Sequence, residues 1–127
     1  MALTQSEAIM QLTIFMGMAD GEFTKEEMIE ICNNNSVYKK HEEKIDQDLL
    51  SIKIERGEAT KENAIRTLKS RSLNTQLDAL AVVYHVLLAD RKMEEGEKKL
   101  MVELLQEFNI GIEDVEKRLL KINPTIV

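Results

Sequence analysis

The segment Leu77-Asp78-Ala79-Leu80-Ala81-Val82-Val83-Tyr84-His85-Val86-Leu87-Leu88-Ala89 decides the fold. Wound as a helix it is apolar almost all round, the pattern of a helix surrounded by other helices rather than one lying on a surface. It is read as the central helix, with Asn74 as its cap. Just upstream, Thr60 caps a short helix with Ala64, Ile65 and Leu68 inward and Lys61, Arg66, Lys69 and Arg71 outward. Downstream, Glu95 to Phe108 places Leu100, Met101, Leu104, Leu105 and Phe108 on one face, and Asn109 to Gly111 closes it. A last helix, Ile112 to Ile122, buries Ile112, Val115, Leu119 and Ile122.

The N-terminal half reads the same way. Ile9, Leu12, Met16 and Ala19 recur at helical spacing, so Ser6 to Ala19 is expected to be amphipathic, with its wet face near Gln5, Glu7 and Gln11. Asp20-Gly21 ends it as a turn. Thr24 and Glu27 form a Thr-x-x-Glu capping box with Phe23 and Met28 at the staple positions, so a second helix starts near Lys25. It stops in Asn33-Asn34-Asn35, where side-chain amides compete for backbone groups. Ser36 is then read as the cap of a third helix carrying Tyr38, His41, Ile45, Leu49 and Ile52 on one face and ended by Gly57. No run of alternating β-branched residues appears. The expectation is an all-α single domain spanning residues 1–127, with about seven helices.

Composition bounds the function. A chain of 127 residues is long enough for one domain with a real core. The formal charge of −6 and pI near 5.0 oppose binding to phosphate backbones, so no nucleic-acid partner is expected. The uncharged run from Ala8 to Ala19 is far short of the roughly 20 residues needed to cross a bilayer. No cation precedes Lys25, so a signal peptide is not expected either. A lone cysteine, Cys32, makes no internal disulfide, and together these features point to the cytoplasm. Charge is uneven: Lys53 to Gln76 carries six cations and three anions, which is read first as a solvated helix face, while the acidic-basic-acidic pattern also suits self-association or a protein partner of complementary charge.

Shifting the chain by 70 residues aligns Ala19-Asp20 with Ala89-Asp90 and Glu27 with Glu97. Each half then has a hydrophobic helix, an Ala-Asp turn, an apolar residue (Phe23, Met93) and an acidic helix start. This predicts two pseudo-repeated helical halves related by a pseudo-twofold axis. The segments Met18-Ala19-Asp20-Gly21-Glu22-Phe23-Thr24-Lys25-Glu26-Glu27 and Leu88-Ala89-Asp90-Arg91-Lys92-Met93-Glu94-Glu95-Gly96-Glu97 resemble the paired turns of the TerB-like tellurite-resistance family. A similar domain precedes the J-domain of certain membrane-anchored co-chaperones. The resemblance covers about Ala8 to Leu120 and implies an all-helical bundle, a bacterial stress-response setting and an acidic surface that binds divalent metal. Arg91-Lys92 stands where the family pattern has Gly-Glu.

Candidate chemistry is confined to those turns. Asp20, Glu22, Glu27, Asp90, Glu94 and Glu97 are the metal candidates, because a hard cation such as calcium or magnesium accepts carboxylates from separate helices. An EF-hand is excluded: with Glu27 as the last ligand of its loop, the first two ligand positions fall on Met16 and Met18. The structural account of the same acids is helix capping, with a purely adaptor domain as its functional counterpart. Neither His41 nor His85 has a second ligand one turn away, so no zinc site is expected. His85 is read as a hydrogen-bonded core residue and Cys32 as a buried, inert thiol. No phosphate loop, paired-carboxylate signature or nucleophile elbow is present, and no enzyme is expected.

Overall fold

Local sequence signals set most helix ends. Thr24 Oγ1 accepts from Glu27 N at 3.2 Å and Glu27 Oε1 accepts from Thr24 N at 3.1 Å, the reciprocal capping box read from the sequence. Thr60 caps its helix through Asn63 N at 3.1 Å. The computed structural model describes residues 2–18, 24–35, 39–40, 42–89 and 95–122, the side chains of 88, 89, 95–98 and 100 excepted. Among the described residues there are seven helices and no strand: α1 Gln5–Met18, α2 Lys25–Asn33, α3 Gln47–Glu55, α4 Lys61–Lys69, α5 Leu73–Ala89, α6 Glu95–Glu107 and α7 Ile112–Ile122.

Among the described residues two helix ends are Schellman closures, in which a left-handed residue lets its own amide and the next one reach back to the last carbonyls. At α3 the residue is Gly57, with φ 72°; Gly57 N donates to Ile54 O and Glu58 N to Lys53 O. At α6 it is Asn109, with φ 55°; Asn109 N donates to Gln106 O and Ile110 N to Leu105 O. Ile110 and Leu105 are both buried, the apolar contact that accompanies this motif.

One core holds the helices together. Its residues come from α1 (Ile9, Leu12, Met16), α2 (Met28, Cys32), α4 (Ala64, Leu68), α5 (Leu80 to Val83, Val86), α6 (Met101, Leu104) and α7 (Val115, Leu119). Helix α1 packs on α2, α4, α5 and α6, and α5 packs on α1, α4 and α7. The expected central role of the Leu77 to Ala89 segment is therefore shared with α1. The α1–α2 approach is close because residue 17 is glycine: a Cβ there would fall on Sδ and Cε of the buried Met28.

Three readings of the sequence are corrected. The expected wet face of α1 is buried at Glu7 and Gln11: α4 packs on α1, and Glu7 meets Lys53 of α3. The expected third helix is interrupted. Residues 39, 40 and 42 are helical and 43–46 are not; Asp46 turns extended and caps a new helix through Leu49 N at 3.1 Å. The restart buries Leu50 and Lys53 and leaves Ile52 42% and Ile54 40% exposed, so the predicted face through Ile52 is not the one that packs. The cap of α5 is Ser72, whose Oγ accepts from Thr75 N at 3.3 Å, and Asn74 lies in the first turn. Ser36, Tyr38 and His41 lie outside the described residues.

Candidate functional site

Of the six carboxylates proposed as metal ligands, Asp20, Glu22, Asp90 and Glu94 lie outside the described residues, as does the side chain of Glu97. Glu27 is exposed and its Oε1 accepts from Thr24 N, the capping role. Among the described residues no group of three His, Cys, Asp or Glu side chains is placed to hold a metal ion.

His85 lies on the inner side of α5 and is 8% exposed. Its Nδ1 stands 3.1 Å from Oδ1 of the buried Asn35, a geometry that fits Nδ1–H donating to the amide oxygen. Burial holds its imidazole pKa below the ordinary value. A hydrolytic base would need a ring open to water, and this one is a core histidine. Cys32 is fully buried, and burial, reinforced by the nearby Glu42 carboxylate, pushes its thiol up to about 12. That is the opposite of the cationic setting that makes a thiolate nucleophilic.

The charged pair that the sequence did not reveal is Glu7 with Lys53. Lys53 Nζ donates to Glu7 Oε1 at 2.6 Å, and both side chains are at least nine-tenths buried. The same Glu7 oxygen accepts from Thr4 N at 2.8 Å, while Thr4 Oγ1 accepts from Glu7 N at 3.2 Å. Thr4-x-x-Glu7 is thus a second capping box, legible in the sequence, whose carboxylate also anchors α3 to α1. Two buried charges that satisfy each other define position more than they add stability.

A surface groove of about 400 Å³ opens where α5 begins and α7 runs past it. Leu73, Leu77 and Ile110 supply its apolar floor, Lys117, Arg118 and Lys121 of α7 its cationic wall, and Asn109 and Asp114 complete the lining. Arg118 is held in place: its guanidinium donates to Asp78 Oδ1 and Asn74 Oδ1, each at 2.9 Å. A third contact between the two helices, Tyr84 Oη to Glu116 Oε1, is long at 3.5 Å. Burial and the Glu116 carboxylate raise the Tyr84 phenol above its ordinary value. The lysine pair was legible only as a spacing of four residues on α7; the tertiary fold supplies the floor beneath it.

Comparison with protein-family models, with curated proteins and with solved structures gave no match for this chain. No helix among the described residues is long and apolar enough to cross a membrane.

Proposed function

We propose that this chain is a non-enzymatic helical binding module of the TerB-like kind, which takes up a divalent cation at its paired Ala-Asp turns and offers a helical surface to a protein partner. The observation that carries the reading is the register of the helices. Helices α2 and α6 begin at Lys25 and Glu95, the same 70-residue offset that aligns Asp20 with Asp90. Helices α1 and α5, which lead into the two turns, pack against each other. Turns that follow two packed helices are where a hard cation would gather oxygens from separate chain segments. The proposed setting is a bacterial cytoplasm under stress, in keeping with a single cysteine held as a buried thiol.

Titration with calcium, magnesium, manganese and zinc, followed by amide shifts, tests the cation. Saturable shifts at Asp20, Glu27, Asp90 and Glu97 are expected, and unchanged resonances at millimolar ion would remove metal binding. A second reading, an adaptor whose acidic turns only cap helices, is favoured by the engagement of Glu27 Oε1 with its own N-cap amide. Under that reading Glu27→Ala lowers stability by about 1 kcal/mol and changes no ion response.

A further inference from the structure

The groove between α5 and α7 combines two features that the rest of the fold does not use. Its floor includes Leu73, which at 61% exposure is the most exposed of the large apolar side chains of the described residues. Leu73 follows the Ser72 cap as the first residue of α5, so nothing in the helix start requires a leucine there. Along the wall, Lys117 and Lys121 stand one helical turn apart, both exposed, and no carboxylate among the described residues pairs with either. Arg118 between them is already bonded to Asp78 and Asn74, which stiffens the wall and leaves the two ammonium groups as the available charges.

We propose that this groove docks an acidic peptide segment of a partner protein, with an aliphatic side chain on Leu73, Leu77 and Ile110 and carboxylates on Lys117 and Lys121. Charge complementarity selects the occupant. On a chain of net charge −6, with Arg118 already paired with Asp78, the two ammonium groups of Lys117 and Lys121 beside one lining carboxylate, Asp114, leave a local excess of positive charge that attracts an anionic segment and disfavours a basic one. The apolar floor sets the second requirement, since ammonium groups alone would hold any anion without an anchor. Lysines four apart on a helix are neighbours, about 5–6 Å between Cβ atoms, which suits two carboxylates flanking one inserted side chain. A volume of about 400 Å³ accommodates such a side chain with its adjoining backbone. The proposal names a surface for the protein partner of the preceding reading and is independent of the cation.

The test uses the full chain, isotope-labelled, titrated at physiological salt with a capped hexapeptide alternating leucine and glutamate. Parallel titrations use a leucine–lysine hexapeptide, a serine–glutamate hexapeptide and decanoate. Saturable shifts centred on Leu73, Ile110, Lys117 and Lys121 with the leucine–glutamate peptide alone are expected. Leu73→Ser and the pair Lys117→Gln with Lys121→Gln alter exposed side chains, keep the far-ultraviolet spectrum, and should each weaken binding at least about tenfold. Equal binding of the lysine or serine peptide overturns the proposal, as does the absence of shifts at millimolar peptide. Binding of decanoate in place of the peptide overturns it in favour of a small amphiphile. Shifts of the same residues on raising protein concentration alone overturn it in favour of a second copy of this chain. A lost peptide response beside an intact cation response at the turns removes this surface and leaves the cation reading standing.

Discussion

At the scale of single residues, the core fixes the chemistry of its few reactive groups. Cys32 is closed off by burial and its thiol is pushed up to about 12, so the native protein should not react with a thiol reagent at pH 8 until denaturant unfolds it. Rapid labelling of the folded chain would contradict this environment. For His85 the sign follows from its depressed pKa: the folded state favours the neutral ring, while the unfolded chain takes up a proton near the ordinary value of 6.5. Its contribution is complete above that value and is lost as pH falls through the lower folded value. Urea midpoints measured at pH 7.5 and 5.5 should therefore drop more in the parent chain than in His85→Gln. Gly17 is a steric requirement. Gly17→Ala should cost about 1–3 kcal/mol in chemical denaturation, because the added methyl displaces the buried Met28 from a packed interface.

At the scale of elements, several helix ends written in local chemistry were legible, though the Ser72 and Asp46 caps were missed, and the helix face set by a distant partner was not legible. Thr24 with Glu27, Thr60 and Gly57 each act within a few residues of chain, and the structure has them capping or closing as read. The face of α3 is decided 46 residues away, by Glu7, and periodicity holds no trace of that. A lysine among isoleucines reads as the wet side of the helix; only the tertiary pairing shows it as the buried side. Glu7→Ala leaves an unpaired buried ammonium and should destabilise by about 3–5 kcal/mol, whereas Glu7→Gln with Lys53→Met together should be far milder. A double-mutant cycle in urea measures the difference. Loss equal to the sum of the two single changes would mean that the pair does not hold α3.

At the scale of the whole molecule, the all-helical architecture followed from the apolar wheel of α5 and from turn chemistry. What sequence could not supply was which faces meet. Helix α1 shares the centre because both its apolar stripe and its supposedly wet residues Glu7 and Gln11 are covered. The candidate site was legible only as an echo: Ala-Asp turns at a 70-residue spacing, with Glu27 alone among its acids lying fully within the described residues. The groove of α5 and α7 gave no motif, since its floor and wall come from segments more than 30 residues apart, Leu73 to Leu77 and Ile110 to Lys121. The decisive measurement is paramagnetic broadening by manganese at one equivalent. A single ion should broaden the amides around Asp20 and Asp90 in parallel, reversed by excess magnesium. Broadening at one turn only, or at neither, would contradict a shared site and with it the proposed use of the duplicated turns.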